Sequence, residues 1–575
     1  MRNGLRRAAL VPLALLLGAC GQDAPTQPAP PPSAAPVPLI PSPSGATPES
    51  TAEPAARAAE LVRRLGDEEL VGQVLMPYAY GSDATRVDGA SAAGNRTLAG
   101  VDTPAEMVTK FKLGGLILVG FAADDPTRAT NPATNVQSPP QVRQLTAGLQ
   151  QAAAQLPGGA PLLIGTDQEY GVVTRVKDGV TMLPSAMAFG AAARPDLTEQ
   201  AWGVAGAELA AMGINVDFAP VADTLGPGGS TVIGSRSFSD DPSATAAQVA
   251  AAVRGLQGAG VAAALKHFPG HGHTTADSHT ELPVVPLSRR NWAVQDRPPF
   301  AAGVQAGAGL VMSGHLDVQG LDKGVAATFS KKVMTDVLRS DLKFTGVAVT
   351  DAMNMAPAMK WPPGEAAVRA LTAGNDLLLM PPDLTAARDG LLAALKDGDL
   401  PRARLVEAAT RVLTLRFRTA GRPQPELNTL KSPDHERVVY QAAAASVTVV
   451  RGRCAGPLIS GPVTVTASGG REVARVGLVK ALQGAGVKVQ AAGGKVVHLV
   501  GYGDRLTDLS LDAEVTVVMD KPDLLTGARS PTLIATYSSS PLSLSALANV
   551  LAGKAKAPGR SPVAVGRLPR SACVR

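Results

Sequence analysis

Between residues 57 and 420, apolar runs rich in Val, Ile and Leu recur at a regular spacing, with Ala-rich helical stretches between them. The runs are VGQVLMPYAYG (71–81), LGGLILVGF (113–121), PLLIGTDQE (161–169) and GINVDFAPVAD (213–223). VAAALKHFPG (261–270), AGLVMSGHL (308–316), FTGVAVTDAM (344–353) and GNDLLLMPP (374–382) follow. Strict apolar/polar alternation would mark strands with one wet face; near-continuous runs mark strands buried on both faces of a parallel sheet. Eight of them with intervening helices predict a (β/α)8 TIM-like barrel, with an open doubly wound sheet as the structural alternative.

Beyond a polar stretch near 421–438 the pattern changes. Strand candidates are ASVTVV (445–450), GPVTVTAS (461–468), KVVHLVGYG (495–503), AEVTVVMD (513–520) and PTLIATYSS (531–539), with helices expected at about 472–484 and 542–553. Residues 440–575 therefore read as a smaller, open α/β domain of sandwich type. No Gly-rich phosphate loop opens a helix after its first strand, which argues against a nucleotide site there.

Ahead of the barrel, MRNGLRRAALVPLALLLGAC joins a basic start (Arg2, Arg6, Arg7) to an apolar run too short to span a bilayer. It closes on Leu17-Gly18-Ala19-Cys20, which resembles a bacterial lipoprotein cleavage box. That resemblance implies a signal peptide over 1–20, lipidation of Cys20, and an extracytoplasmic protein anchored to the cell membrane. Residues 21–56 are rich in Pro, Ser and Ala, a composition suited to an extended tether. Of the three cysteines, Cys454 and Cys573 remain near the two ends of the C-terminal domain. After export they form either a disulfide or two buried thiols.

Charge narrows the field of partners. A net charge of +6 is mild for 575 residues, and no dense Lys/Arg run carries interleaved aromatics, so nucleic acid is not an expected partner. The chemistry lies instead where the barrel runs end. Asp167, Lys266 with His267, His315 and Asp351 all stand where apolar runs turn reactive, and barrel active sites form where the C-terminal strand ends converge.

The stretch KHFPGHGHTTADSH (266–279) holds four of the seven histidines. His271 and His273 form an H-x-H pair of the kind metal-dependent barrel hydrolases use, but the first run (71–81) offers no further ligand, so no metal is expected. Asp277 stands two residues before His279 on a loop, so its carboxylate can orient the imidazole and raise its pKa. Asp351 is a candidate nucleophile at a strand terminus. Transfer of a glycosyl group needs such a nucleophile and a proton donor to the leaving group. Asp167, Arg236, Lys266 and His267 would then hold hydroxyls by charge-assisted hydrogen bonds.

KHFPGHGHTTADSHTELP resembles the signature of the bacterial β-N-acetylglucosaminidase branch of glycoside hydrolase family 3. TDQEYGVVTRV (166–176), INVDFAPVAD with VIGSRSF (214–223, 232–238) and VAVTDAMNM (347–355) are similar in the same order. The likeness covers about 60–420, and the tail YSSSPLSLSALANVLAGKAKAPGRSPVAV resembles the end of a C-terminal domain common in the family. It implies a retaining exo-hydrolase without a cofactor, removing terminal β-linked N-acetylglucosamine from cell-wall muropeptides or chitooligosaccharides. By motif, Asp351 is its nucleophile, His279 its acid/base and Asp277 the partner of His279, while Asp167, Arg175, Arg236, Lys266 and His267 match sugar-binding positions. Two departures stand out: Tyr170-Gly171-Val172 replaces a frequent Gly-Gly-Arg, and Ala352 follows Asp351 where an acidic or small polar residue is frequent. A β-glucosidase, a phosphorylase of the same fold and a non-catalytic sugar-binding lipoprotein are the alternatives.

Overall fold

The structure is a computed structural model that describes residues 49–120, 134–227, 229–420, 422 and 424–574. Cys20 and nearly all of the expected tether lie outside the described residues. The helix Glu49–Val62 begins inside the stretch assigned to the tether.

Each of the eight apolar runs contains a barrel strand, numbered here β1 (Leu75–Met76), β2 (Gly115–Ile117), β3 (Leu163–Thr166), β4 (Val216–Asp217), β5 (Ala262–Phe268), β6 (Leu310–Ser313), β7 (Val347–Thr350) and β8 (Leu378–Leu379). Strands β2 to β7 form one parallel sheet in chain order. The ring closes through parallel pairing of β1 with β8, a bridge from Val349 to Leu377, and the Ile117 N–H donating to Pro77 O at 3.0 Å. Every residue of the eight strands is buried, as runs without alternation require.

Polar side chains seal the N-terminal end of the barrel. Arg416 is fully buried, donating to the carbonyls of Ala160 and Pro161, each at 2.6 Å, and to Gln73. Asp376, just before β8, accepts from Arg404 at 2.7 Å, from Arg411 at 3.1 Å and from Arg339. These groups brace the scaffold at the end of the barrel remote from the expected site.

The second sheet contains β9 (Thr448–Arg451), β10 (Val463–Ala467), β11 (Lys495–Val500), β12 (Val515–Val518) and β13 (Thr532–Ala535) in the order β9-β13-β12-β11-β10, with only β9 antiparallel. Its alternating side chains serve two cores. Val449, Leu499, Val517 and Ile534 pack with the helices Glu472–Gly484 and Pro541–Leu551. Their neighbours Val450, Val500, Val518, Leu533 and Ala535 pack with Met187, Ala188, Val221, Leu225 and Ile233 of the barrel. A period of two thus gives one face to helices and the other to the barrel. The helix Pro433–Ser446, which begins within the polar stretch, packs Val438, Val439 and Ala442 on the barrel core and Ala443 on the second core.

Hydrogen bonds reinforce this apolar seam. Ser185 Oγ donates to Tyr537 O at 2.7 Å, Ser239 Oγ to Pro562 O at 2.8 Å, and Arg570 binds both oxygens of Asp240 at 2.7 and 2.9 Å. Cys454 and Cys573 form a disulfide across a sequence separation of 119 residues. Cross-linking so long a loop restricts the unfolded chain, so Cys454→Ser should destabilise the C-terminal domain by about 2–4 kcal/mol. Urea unfolding followed with and without reductant measures this; coincident curves would show that the bridge adds nothing.

Candidate active site

A cleft opens at the C-terminal ends of the barrel strands. One side is charged: Asp167 and Arg175 stand on the segment that follows β3, Arg236 on the segment that follows β4, and Lys266 and His267 on β5. The other is apolar, lined by Met312, Ala352, Met355, Leu379 and Met380 from β6 to β8 and their exits. Asp351 and His279 line the same cleft.

Chain geometry explains how Arg175 arrives. After β3 the chain folds into a hairpin in which Gln168–Tyr170 pairs with Val173–Thr174. Tyr170 and Gly171 turn it at φ 64° and 75°, the left-handed region that favours glycine, and a Cβ on Gly171 would approach Ser185 Cβ to 3.0 Å. The departure at Tyr170-Gly171-Val172 is therefore a tight turn. It returns Arg175 to Asp167, with Nη2 to Oδ2 at 3.4 Å.

Asp167 also accepts from Lys266 Nζ at 2.8 Å. Lys266 reaches Glu169 at 2.6 Å, and Glu169 takes Arg236 bidentately at 2.7 and 2.8 Å. The side chains of Glu169, Lys266 and Arg236 are each 3% exposed. Burial works to raise the pKa of Glu169, but Arg236 and Lys266 outweigh it and hold the carboxyl far below the usual carboxylate range. Burial likewise opposes the cations, yet Glu169 and Asp167 keep Arg236 and Lys266 above their ordinary values.

Asp223, fully buried, is a second organiser. Its Oδ2 pairs with His267 Nδ1 at 2.8 Å, while its Oδ1 accepts the backbone N–H groups of His267 at 3.1 Å and His271 at 2.8 Å. Arg236 Nη2 stands 3.4 Å from His267 Nε2. A donor there makes Nε2 the acceptor and places the ring proton on Nδ1, toward Asp223. Neither Glu169 nor Asp223 was among the candidates drawn from sequence. A signal existed for Glu169: it stands two residues after Asp167, which puts both carboxylates on one side of an extended chain.

Across the cleft, Asp351 follows β7 with its N–H bonded to Ser313 O at 2.9 Å, and its Oδ1 accepts from the Ala352 N–H at 2.8 Å. Burial raises its pKa, but His267, His315, the Ala352 N–H and His279 together bring it below the ordinary aspartate value, so it is a carboxylate at neutral pH. His279 Nδ1 lies 2.7 Å from Asp277 Oδ1, which also accepts the His279 backbone N–H at 2.9 Å. The pair leaves Nε2 as the ring nitrogen free of Asp277.

His315, expected among the reactive strand ends, is turned away from the cleft. It is fully buried, its Nδ1 is engaged by Thr328 Oγ1 at 2.9 Å and its Nε2 by Ala352 O at 3.1 Å. The H-x-H pair does not converge either: His271 Nε2 meets Ser278 Oγ at 3.1 Å, whereas His273 Nδ1 meets Asp296 at 2.9 Å. Among the described residues no group of three or more His, Cys, Asp or Glu is arranged to hold a metal ion.

Fold and cleft together are those of a barrel glycoside hydrolase, and comparison with known proteins agrees. Residues 68–415 match the glycosyl hydrolase family 3 N-terminal domain. The chain is 34% identical over 379 residues to β-hexosaminidase A of Pseudoalteromonas piscicida, an alignment that takes in 60% of this chain and 61% of that protein's length. It is 40% identical over 254 residues to a β-hexosaminidase of Stenotrophomonas maltophilia, covering 43% and 73%. Among solved structures, a family 3 β-N-acetylglucosaminidase from a Paenibacillus species superposes with a TM-score of 0.74 at 31% identity, covering 87% of this chain and 99% of that one. The chain belongs to glycosyl hydrolase family 3.

The Glu169 pairings make a measurable prediction. Glu169→Gln leaves two buried cations under-compensated and should destabilise the fold by about 3–5 kcal/mol at neutral pH. Since the folded pKa lies below the ordinary 4.5, this stabilisation is complete above pH 4.5 and is lost as pH falls. The gap between wild type and variant in urea unfolding should narrow by about 1.4 kcal/mol per pH unit below that point. A gap independent of pH would contradict the ion-pair account.

Proposed function

We propose that this protein is a retaining exo-β-N-acetylglucosaminidase that works through a covalent glycosyl-enzyme intermediate. The observation that carries the reading is the meeting, at one cleft, of Asp351 and of His279, which is paired with Asp277. The charged side, with Asp167, Arg175, Arg236, Lys266 and His267, binds the ring hydroxyls of the terminal sugar. The apolar side, rich in methionine, suits the methyl of a 2-acetamido group.

In the first step Asp351 attacks the anomeric carbon as the bond to the leaving oxygen breaks, and His279 Nε2–H delivers its proton to that oxygen. Asp277 accepts the Nδ1–H and orients the ring. In the second step the neutral imidazole takes a proton from water, which attacks the same carbon and releases Asp351. A neutral imidazole does not repel an anionic acceptor, so phosphate is the competing nucleophile to test.

The substrates to assay are aryl β-N-acetylglucosaminide and aryl β-glucoside, each with and without phosphate. The proposal expects preference for the N-acetylated sugar and release of free sugar at a rate independent of phosphate. Equal rates on glucoside would favour a β-glucosidase, and sugar 1-phosphate would favour a phosphorylase. Asp351→Ala should abolish turnover; binding without turnover in the wild type would leave only a sugar-binding role. His279→Ala should cost about 10²- to 10⁴-fold on poor leaving groups and far less on activated aryl ones.

The same proposal places the enzyme outside the cytoplasm, held to the membrane by a lipid on Cys20, with terminal N-acetylglucosamine of muropeptides or chitooligosaccharides as natural substrate. Cys20→Ser should move the activity from the membrane fraction to the soluble one. Unchanged fractionation would rule out the anchor.

A further inference from the structure

The segment from His273 to Glu281 joins the frame of the cleft to the proton donor, and only Ser278 within it is buried. Ser278 is 3% exposed, sits between Asp277 and His279, and bonds through Oγ to His271 Nε2 at 3.1 Å. His271 is 1% exposed, and its backbone N–H is held at 2.8 Å by Asp223, the same carboxylate that fixes the backbone and ring of His267. The His267 and His271 rings meet edge to face with centroids 5.7 Å apart. The loop's other fastenings are at its margins: His273 on Asp296 at its start, and Pro283 O accepting from the Asp317 N–H at 2.9 Å at its end.

Backbone packing leaves His271 little freedom. A Cβ on Gly272 would lie 1.9 Å from Thr224 O, and Gly272 O accepts from the Gly226 N–H at 2.9 Å. The ring therefore projects from a point fixed on both sides. Burial first, and then His267, push its pKa down to about 4, so it is neutral at working pH and carries a single ring proton. Among the described residues the one hydrogen bond of this ring goes to Ser278.

We infer that the Asp223–His271–Ser278 chain is a positioning device for the acid/base: it fixes the loop at its middle residue, and through it His279, to the same carboxylate that holds the sugar-binding His267. His271 and Ser278 are positioning residues; the proton itself passes through His279. The inference rests on the reading of His279 as the proton donor. Its consequence is specific, because a donor displaced by about an ångström loses much of its catalytic effect while the bound sugar and Asp351 stay in place.

The test compares N-acetylglucosaminides with an activated dinitrophenyl leaving group and a poor alkyl one, in Ser278→Ala, Ser278→Thr and His271→Phe. His279→Ala and Asp351→Ala serve as references, and thermal melts report folding. Ser278→Ala and His271→Phe should lose about tenfold or more in kcat/KM, which reports the glycosylation step alone, on the alkyl substrate, and less than about threefold on the dinitrophenyl one. Ser278→Thr, which keeps the hydroxyl, should recover most of the loss. If His271→Phe does not fold, the Ser278 pair decides. Equal losses on both substrates, or none on either, while His279→Ala keeps its leaving-group dependence, would overturn the device alone. Absence of that dependence in His279→Ala would overturn the acid/base reading and the device together, and activity in Asp351→Ala would overturn the assignment of the site.

Discussion

Placing two cations and a carboxylate in the dry mouth of a barrel is tolerable only if each finds an opposite charge at contact distance, and this condition shapes the active-site end of the molecule. Lys266 and Arg236 come from segments far apart in the chain and meet on Glu169, with Asp167 taking the remaining reach of Lys266. Desolvation of unpaired charges would cost several kcal/mol for each ion. The pairing therefore ties the hairpin after β3, the end of β5 and the turn Gly234–Arg236 to one another. A ligand entering the cleft would meet donors and acceptors that are already oriented.

The C-terminal domain takes part in that arrangement. Ile233, directly before the Arg236 turn, belongs to the apolar seam between the two sheets' domains, while Val232 lines the cleft. Ser239 and Asp240, just beyond the turn, are bonded to Pro562 and Arg570. One short barrel segment thus has the cleft on one side and the second domain on the other. The alternating strands of the second sheet make this geometry available: a one-sided sheet would have no apolar face left to press against the barrel.

Much of this was legible in the chain. Eight near-continuous apolar runs pointed to strands covered on both faces, and each contains one, because long-range pairing and local pattern agree. The loop pair Asp277–His279 was legible for a similar reason: two residues apart, the contact is local. Glu169 was marked only by its spacing from Asp167 and Asp223 not at all, since their partners lie 67 and 44 positions away and a carboxylate's direction depends on them. His315 misled for the converse reason. A histidine at a strand exit looks reactive in one dimension, yet Thr328 and the Ala352 carbonyl saturate both its nitrogens. Strand-end chemistry marks which face of the barrel carries the site, but which side chains face the cleft is settled by packing around it.

The charge arrangement also bears on Asp351, the proposed nucleophile. Had Lys266 or Arg236 been paired with Asp351, the salt bridge would lower the basicity of the oxygens that attack carbon in the proposed mechanism. Both cations are instead committed to Asp167 and Glu169, and Asp351 is kept ionised by softer means: nearby imidazoles and one backbone N–H. These stabilise the carboxylate without covering it as a bidentate guanidinium would. Self-compensation among Asp167, Glu169, Lys266 and Arg236 is thus what lets a strongly charged cleft hold a carboxylate that is ionised and still uncommitted to a cation.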